Sequence, residues 1–155
     1  MTYDEWLASV PPEFTQDPLW RMQVYRLAVF ASDLAWQDVS KLIKDRRTVS
    51  LADQLFRAVG STGANIAEGY GRRSGKDQAR FYEYALGSAR EARGWYRQGR
   101  HVLSEAVATH RISLLTQIAR LLLTIIPAER GYGLREEQAS YDAAIMELLD
   151  NPPTP

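Results

Sequence analysis

Nine of the fifteen residues from Ile112 to Ile126 are leucine or isoleucine, spaced so that a helix turning about 100° per residue keeps no broad polar face. Such a helix has to be covered on more than one side, either as the central helix of a bundle or by a second copy of the chain. Gln117, Arg120 and two threonines interrupt the segment, which falls short of the roughly 20 apolar residues of a membrane span. The expectation is a core helix and no membrane association. With 155 residues the chain is long enough for one domain with its own core, and it contains no cysteine. Disulfides, thiolate nucleophiles and cysteine-ligated metals are excluded, and the composition suits a reducing cytosol, so a cytoplasmic location is expected. The opening MTYDEWLASVPP has neither a basic nor an apolar signal region and reads as having no secretory leader.

Helix-start signals divide the rest. Thr2 with Glu5, Ser50 with Asp53 and Ser74 with Asp77 have the spacing of capping boxes, and Asp17 stands as an N-cap before Pro18. These predict a short helix near 3–9 and a first long helix from Pro18 to Lys44. A second runs from Leu51 to about Ala67, with Gly69 as a left-handed C-terminal residue. A third runs from Ser74 to Val102 or Val107, and a fourth from Thr109 to Ile126, stopped by Pro127. Gly131 and Gly133 mark a loop before a last helix over Arg135 to Leu149, with Tyr141, Ile145 and Leu148 on one face. No segment alternates with period 2 over a strand's length. The fold class is all-α, four long helices with short N- and C-terminal helical extensions.

Charge follows the same division. The net charge is zero, but residues 1–17 sum to −4, residues 18–128 to +8 and residues 129–155 to −4. The expected organisation is an acidic N-terminal extension (1–17), a bundle domain (18–128), and an acidic C-terminal helix with a disordered tail (129–155).

The segment from Leu51 to Glu91 contains Gln54, Arg57, Ala58, Ser61, Asn65, Ile66, Ala67, Glu68, Gly69, Gly71, Arg72, Ser74, Phe81, Gly87, Ser88 and Glu91. As a combination it resembles the four-helix bundle family first described as proteins encoded in intervening sequences of bacterial 23S ribosomal RNA genes. The likeness extends more loosely over residues 20–128 and leaves out both acidic ends. The resemblance implies an up-and-down four-helix bundle, commonly a homopentamer, without known enzymatic activity. A related protein, the accessory protein of diversity-generating retroelements, engages a reverse transcriptase and nucleic acid, and is more basic than this chain.

Gln54, Arg57, Ser61, Asn65, Glu68 and Arg72 recur at helical spacing, forming a polar stripe beside the apolar one. One reading is a buried network in which Asn65 and Glu68 bond Arg57 or Ser88 and fix register or an interface, since polar groups removed from water must be paired. The other is a solvated stripe. Gly69 to Asp77 is not a phosphate-binding loop, because Tyr70 stands where a glycine is needed and Asp77 where Ser or Thr is needed.

Arg90, Arg93, Arg97 and Arg100 lie along one face of the third helix, with Arg72, Arg73, Lys76 and Arg80 before them. This basic set is a candidate contact for the phosphate backbone of RNA or DNA. The competing reading pairs it with Glu83, Glu91 or the acidic ends. Phe81, Tyr82, Tyr84, Trp95 and Tyr96 interleave with the arginines, and core packing is preferred to base stacking for them, as packing or interfaces are for Trp6, Trp20 and Trp36. His101 and His110 lack the spacing of bundle metal ligands, and no metal or cofactor is expected. Glu68 and Glu91 form the one carboxylate pair that could support acid–base chemistry, with a structural role preferred. The reading is a non-enzymatic, homo-oligomeric accessory or adaptor protein, a pentamer by resemblance, with a nucleic acid or ribonucleoprotein as partner. The alternative is a protein-interaction scaffold that binds no nucleic acid.

Overall fold

A computed structural model describes residues 1–129 and 138–155. The described residues form seven α-helices and no strand: α1 (Tyr3–Ser9), α2 (Pro12–Thr15), α3 (Gln23–Leu42), α4 (Val49–Tyr70), α5 (Gly75–Leu103), α6 (Glu105–Glu129) and α7 (Gln138–Asp150). The four long helices α3 to α6 make an up-and-down bundle. Each packs on its sequence neighbour through a short connection, and α3 closes the ring against α6. Glycine and alanine set the spacing between α4 and α5. A Cβ at Gly69 would come within 2.7 Å of the buried Tyr82 ring, whereas Gly60 on the outer face has open space around it.

The capping box at Thr2 forms as expected, with both reciprocal bonds to Glu5 present. It delivers Trp6 into the common core, where its ring stacks among Tyr3, Trp20 and Phe30. Asp17 caps as well, but the helix it starts is only a 3-10 turn over Pro18–Arg21. Met22 is extended, so α3 begins at Gln23 and not at Pro18. The reason is local: Arg26 takes the carbonyls of Trp20 and Arg21, and Trp20 turns inward onto Trp6.

Other boundaries also move. The N-cap position of α4 is Thr48 and not Ser50, and the Thr48 hydroxyl turns back to the Leu42 carbonyl at 2.6 Å instead of capping. Gly69 lies inside α4, so it serves close approach to Tyr82 and not a left-handed turn. Ser74 caps α5 as expected. Between α5 and α6 stands one residue, Ser104, whose φ of 122° is a conformation that favours glycine. It survives because Ser104 works for both helices, its amide bonded to Arg100 and its hydroxyl accepting from Val107.

That turn lets α6 begin four residues before Thr109. At the other end Pro127 does not stop α6, since a proline so close to the terminus removes a single helical bond. The Glu129 carbonyl comes to rest on Gly75, where a Cβ would overlap it. Burial, then the Glu129 carboxylate, pushes the Tyr82 phenol up to about 12. The longer α6 has a window of mean hydropathy 1.4 and is long and apolar enough to cross a membrane by length and composition, contrary to the expectation from its central segment. Here it is one of the four bundle helices, packed on α5 and α3, and it leaves Leu123 half exposed. Of the last helix, Arg135 and the Gly131–Gly133 loop lie outside the described residues, as does the Tyr141 side chain. Ile145 and Leu149 are buried. The tail is not free: Pro152 is buried and the Pro153 carbonyl is bonded to α6.

Candidate functional site

Among the described residues the bundle encloses one ion pair. Asp38 on α3 and Arg111 on α6 are 0% and 2% exposed, and the guanidinium grips the carboxylate through Nε to Oδ2 (2.9 Å) and Nη2 to Oδ1 (3.2 Å). The Tyr96 hydroxyl of α5 donates to the same Oδ2 at 2.7 Å. Burial, then the neighbouring Asp38 charge, holds the Tyr96 phenol well above its ordinary value, so it stays a donor. Arg111 directs two further donors outward, Nη2 to the Pro153 carbonyl (2.9 Å) and Nη1 to His110 Nδ1 (2.9 Å). His110 Nε2 lies 2.7 Å from the Leu148 carbonyl. A carbonyl can only accept and a guanidinium can only donate, so His110 is neutral with its proton on Nε2. Burial is the main cause that lowers its pKa.

From the sequence Tyr96 reads as a packing residue and His110 as a ligand candidate without partners. Asp38 and Arg111 do not stand out there until their register is compared with the apolar one. Asp38 follows Leu34 and precedes Leu42 at four-residue steps, and Arg111 stands in the same way between Val107 and Leu115. A charge on a buried stripe is the available signal. Beside this node an open groove of about 590 Å³ separates α6 from α7, lined by Glu105, Thr109, His110, Ser113, Gln117 and Glu147. The Gln117 Oε1 is buried without a hydrogen-bond partner among the described residues.

The basic residues fall into two groups. Around the α4–α5 turn, Arg72 pairs with Glu68 and lies over the Phe81 ring, 4.6 Å from its centroid. Arg80 pairs with Asp77 at 3.5 Å and approaches the same ring. Arg73 and Lys76 are exposed and have no partner among the described residues. The Phe81 ring meets Tyr84 edge-on, and Tyr84 and Tyr70 are exposed, so the aromatic set divides: Tyr82 and Tyr96 are core, whereas Tyr84 is not.

Of the four arginines Arg90, Arg93, Arg97 and Arg100 on the α5 face, only Arg90 is exposed without a partner among the described residues. Arg93 is half-buried and donates to Thr116 on α6. Arg97 and Arg100 share Glu105 at 3.3 and 3.6 Å. Their counterion is thus a residue of α6, where the sequence suggested Glu83, Glu91 or the acidic ends. Glu91 accepts instead from the Trp95 indole.

The polar stripe of α4 makes no cross-helix network among the described residues. Asn65 bonds back to the Ser61 carbonyl, Arg57 pairs with Asp53, and Glu68 with Arg72, all within α4 or its end. Gln54, Ser61 and Ser88 are half-buried. Glu68 and Glu91 are each exposed and bonded elsewhere, which separates the one carboxylate pair considered for catalysis. No cluster of three or more metal-ligating side chains occurs among the described residues.

The family model for 23S rRNA-intervening sequence proteins matches residues 21–124, well over half of the chain. The chain belongs to that family. Comparison with curated proteins and with solved structures finds no match. The family segment covers α3, α4, α5 and most of α6, and it leaves α1, α2 and α7 outside. The family's description is not that of an enzyme. Asp38, Tyr96, His110 and Arg111 all lie within the family segment, whereas the carbonyls of Leu148 and Pro153 that cover them come from beyond it.

Removing one partner of a buried ion pair strands the other charge, at about 3–5 kcal/mol. Arg111→Met is expected to lower the free energy of urea unfolding by that amount, and Asp38→Leu in the same chain to recover most of the loss. A double variant no more stable than Arg111→Met would show that the two side chains are not coupled.

Proposed function

We propose that this chain is a non-enzymatic accessory protein that holds single-stranded RNA or DNA, free or in a ribonucleoprotein, at its α4–α5 turn. The observation that carries the reading is the pair of cations without a partner among the described residues, Arg73 and Lys76, in the turn that also holds Phe81 under Arg72 and Arg80 and the exposed Tyr70 and Tyr84. Cations that track phosphates and aromatic rings that accept bases are the two components of sequence-tolerant single-strand binding. The α5 face contributes Arg90, while Arg97 and Arg100 are already committed to Glu105.

A second reading, a protein-interaction scaffold, draws on a different surface. Trp36 is 63% exposed on α3 and meets Phe56 of α4 at a centroid distance of 5.9 Å, with Ile43 and Val49 also exposed. Large apolar side chains grouped on a surface are typical of association sites. This patch and the half-buried Gln54, Ser61 and Asn65 of α4 support self-association of the chain, with a pentamer as the family likeness suggests. The location proposed is the cytoplasm, where the absence of cysteine costs the fold nothing.

Two measurements test these statements. Arg73→Glu with Lys76→Glu is expected to abolish binding of a fluorescent single-stranded RNA at low salt, while Arg97→Glu leaves it nearly unchanged. Replacing both cations with glutamine should flatten the log–log salt dependence by about 0.7 for each phosphate that the protein no longer neutralises. No binding by the intact chain at low salt would leave the scaffold reading in its place. Light scattering is expected to give a mass five times that of the 17.6 kDa chain, and Trp36→Glu to reduce it. A monomer mass for the unaltered protein would remove the assembly.

A further inference from the structure

The node around Arg111 has an outer side, and what covers it is the chain's own C-terminal segment. Two backbone carbonyls of that segment are taken by adjacent side chains of α6: Leu148 by His110 and Pro153 by Arg111. Ile145, Leu149 and Pro152 of the same segment are buried. We propose that α7 and the tail form a strap that neutral His110 latches to the bundle and that acidification releases.

The geometry makes His110 the weak point of the latch. Its Nδ1 accepts from Arg111 Nη1 at 2.9 Å while its Nε2 donates to Leu148. Protonation turns Nδ1 into a donor, so two N–H groups and two positive charges face one another across that distance. The imidazolium escapes the conflict by turning into the groove toward Glu105 of the bundle, which Arg97 and Arg100 share, and in turning it gives up the Leu148 carbonyl of α7. Glu147 of α7 also lines the groove but is exposed and screened by water.

The groups that face His110 act in opposite senses. Burial and Arg111 of α6 disfavour the charged ring, whereas the Leu148 carbonyl and Asp38 of α3 favour it, and the balance lowers its pKa below the ordinary 6.5. Tyr96 of α5 faces the node as a neutral donor to Asp38. The sign follows. A histidine that is harder to protonate when latched binds more protons when released, so docking is complete above about pH 6.5 and weakens as pH falls below it, by up to about tenfold per unit. The loss ends at the lowered pKa of the latched state.

The chain has no cysteine, so Thr154→Cys carries a single fluorophore at an exposed position of the tail in the full-length protein. Its anisotropy is expected to fall between about pH 7.5 and pH 5 while far-UV circular dichroism shows the bundle helices intact. In the same protein carrying His110→Gln, anisotropy should be independent of pH over that range. A steady high value would mean that the amide replaces the latch, and a steady low value that the Arg111–Pro153 bond and the buried apolar side chains do not hold the strap without His110. Either supports the proposal. It is overturned if the parent shows no fall, if His110→Gln titrates along the parent's curve, or if the fall coincides with loss of helix.

Discussion

The pairing of Asp38 with Arg111 is the interaction on which the other features depend. An ionised side chain with no partner costs several kcal/mol inside a protein, so neither residue can be buried without the other. Their meeting fixes α3 and α6 axially, and the Tyr96 hydroxyl ties α5 to the same carboxylate. Three of the four bundle helices thus share one polar contact in a mostly apolar interior, where leucine and alanine alone would tolerate several registers. A slip by one turn would leave a carboxylate or a guanidinium stranded among leucines.

The pair also makes contact with residues beyond the family segment. A guanidinium has five N–H groups, and Asp38 takes only two of those of Arg111. His110 and the Pro153 carbonyl take others, so the tail completes a shell that the bundle leaves open. The basic turn with Arg73 and Lys76 lies at the opposite end of α5 from the α5–α6 turn, a helix of 29 residues or roughly 40 Å. Ala144, Glu147 and Leu148 in the later part of α7 line a groove with the first half of α6, toward the α5–α6 turn. The two ends of the molecule can serve separate tasks.

Much of this was legible in the sequence, and the failures have local causes. The helical period and the caps at Thr2 and Ser74 mark the helices, and the motif from Gln54 to Glu91 marks the family. Helix ends proved harder. A side chain that takes backbone carbonyls, as Arg26 does, or one that abandons its own cap, as Thr48 does, depends on tertiary neighbours. Ser104 in a glycine-like conformation is a turn that no residue preference announces. Asp38 and Arg111 were readable as charges on buried stripes, but recognising them as partners requires knowing that α3 and α6 touch. The docking of Pro153 had no signal at all, since a terminal run of proline, threonine and asparagine looks like a free tail.

Hydrogen exchange on the intact protein tests most directly whether the ion pair organises both bundle and strap. Arg111→Lys keeps the charge but loses the guanidinium fork, so it cannot hold Asp38 and the Pro153 carbonyl together. At neutral pH the predicted result is faster exchange in α7 and in the middle of α3 around Asp38, with the amides of α4 between Ala58 and Ile66 unchanged. Unaltered protection in α7 and α3 would contradict the account, because it would mean that packing alone sets their positions.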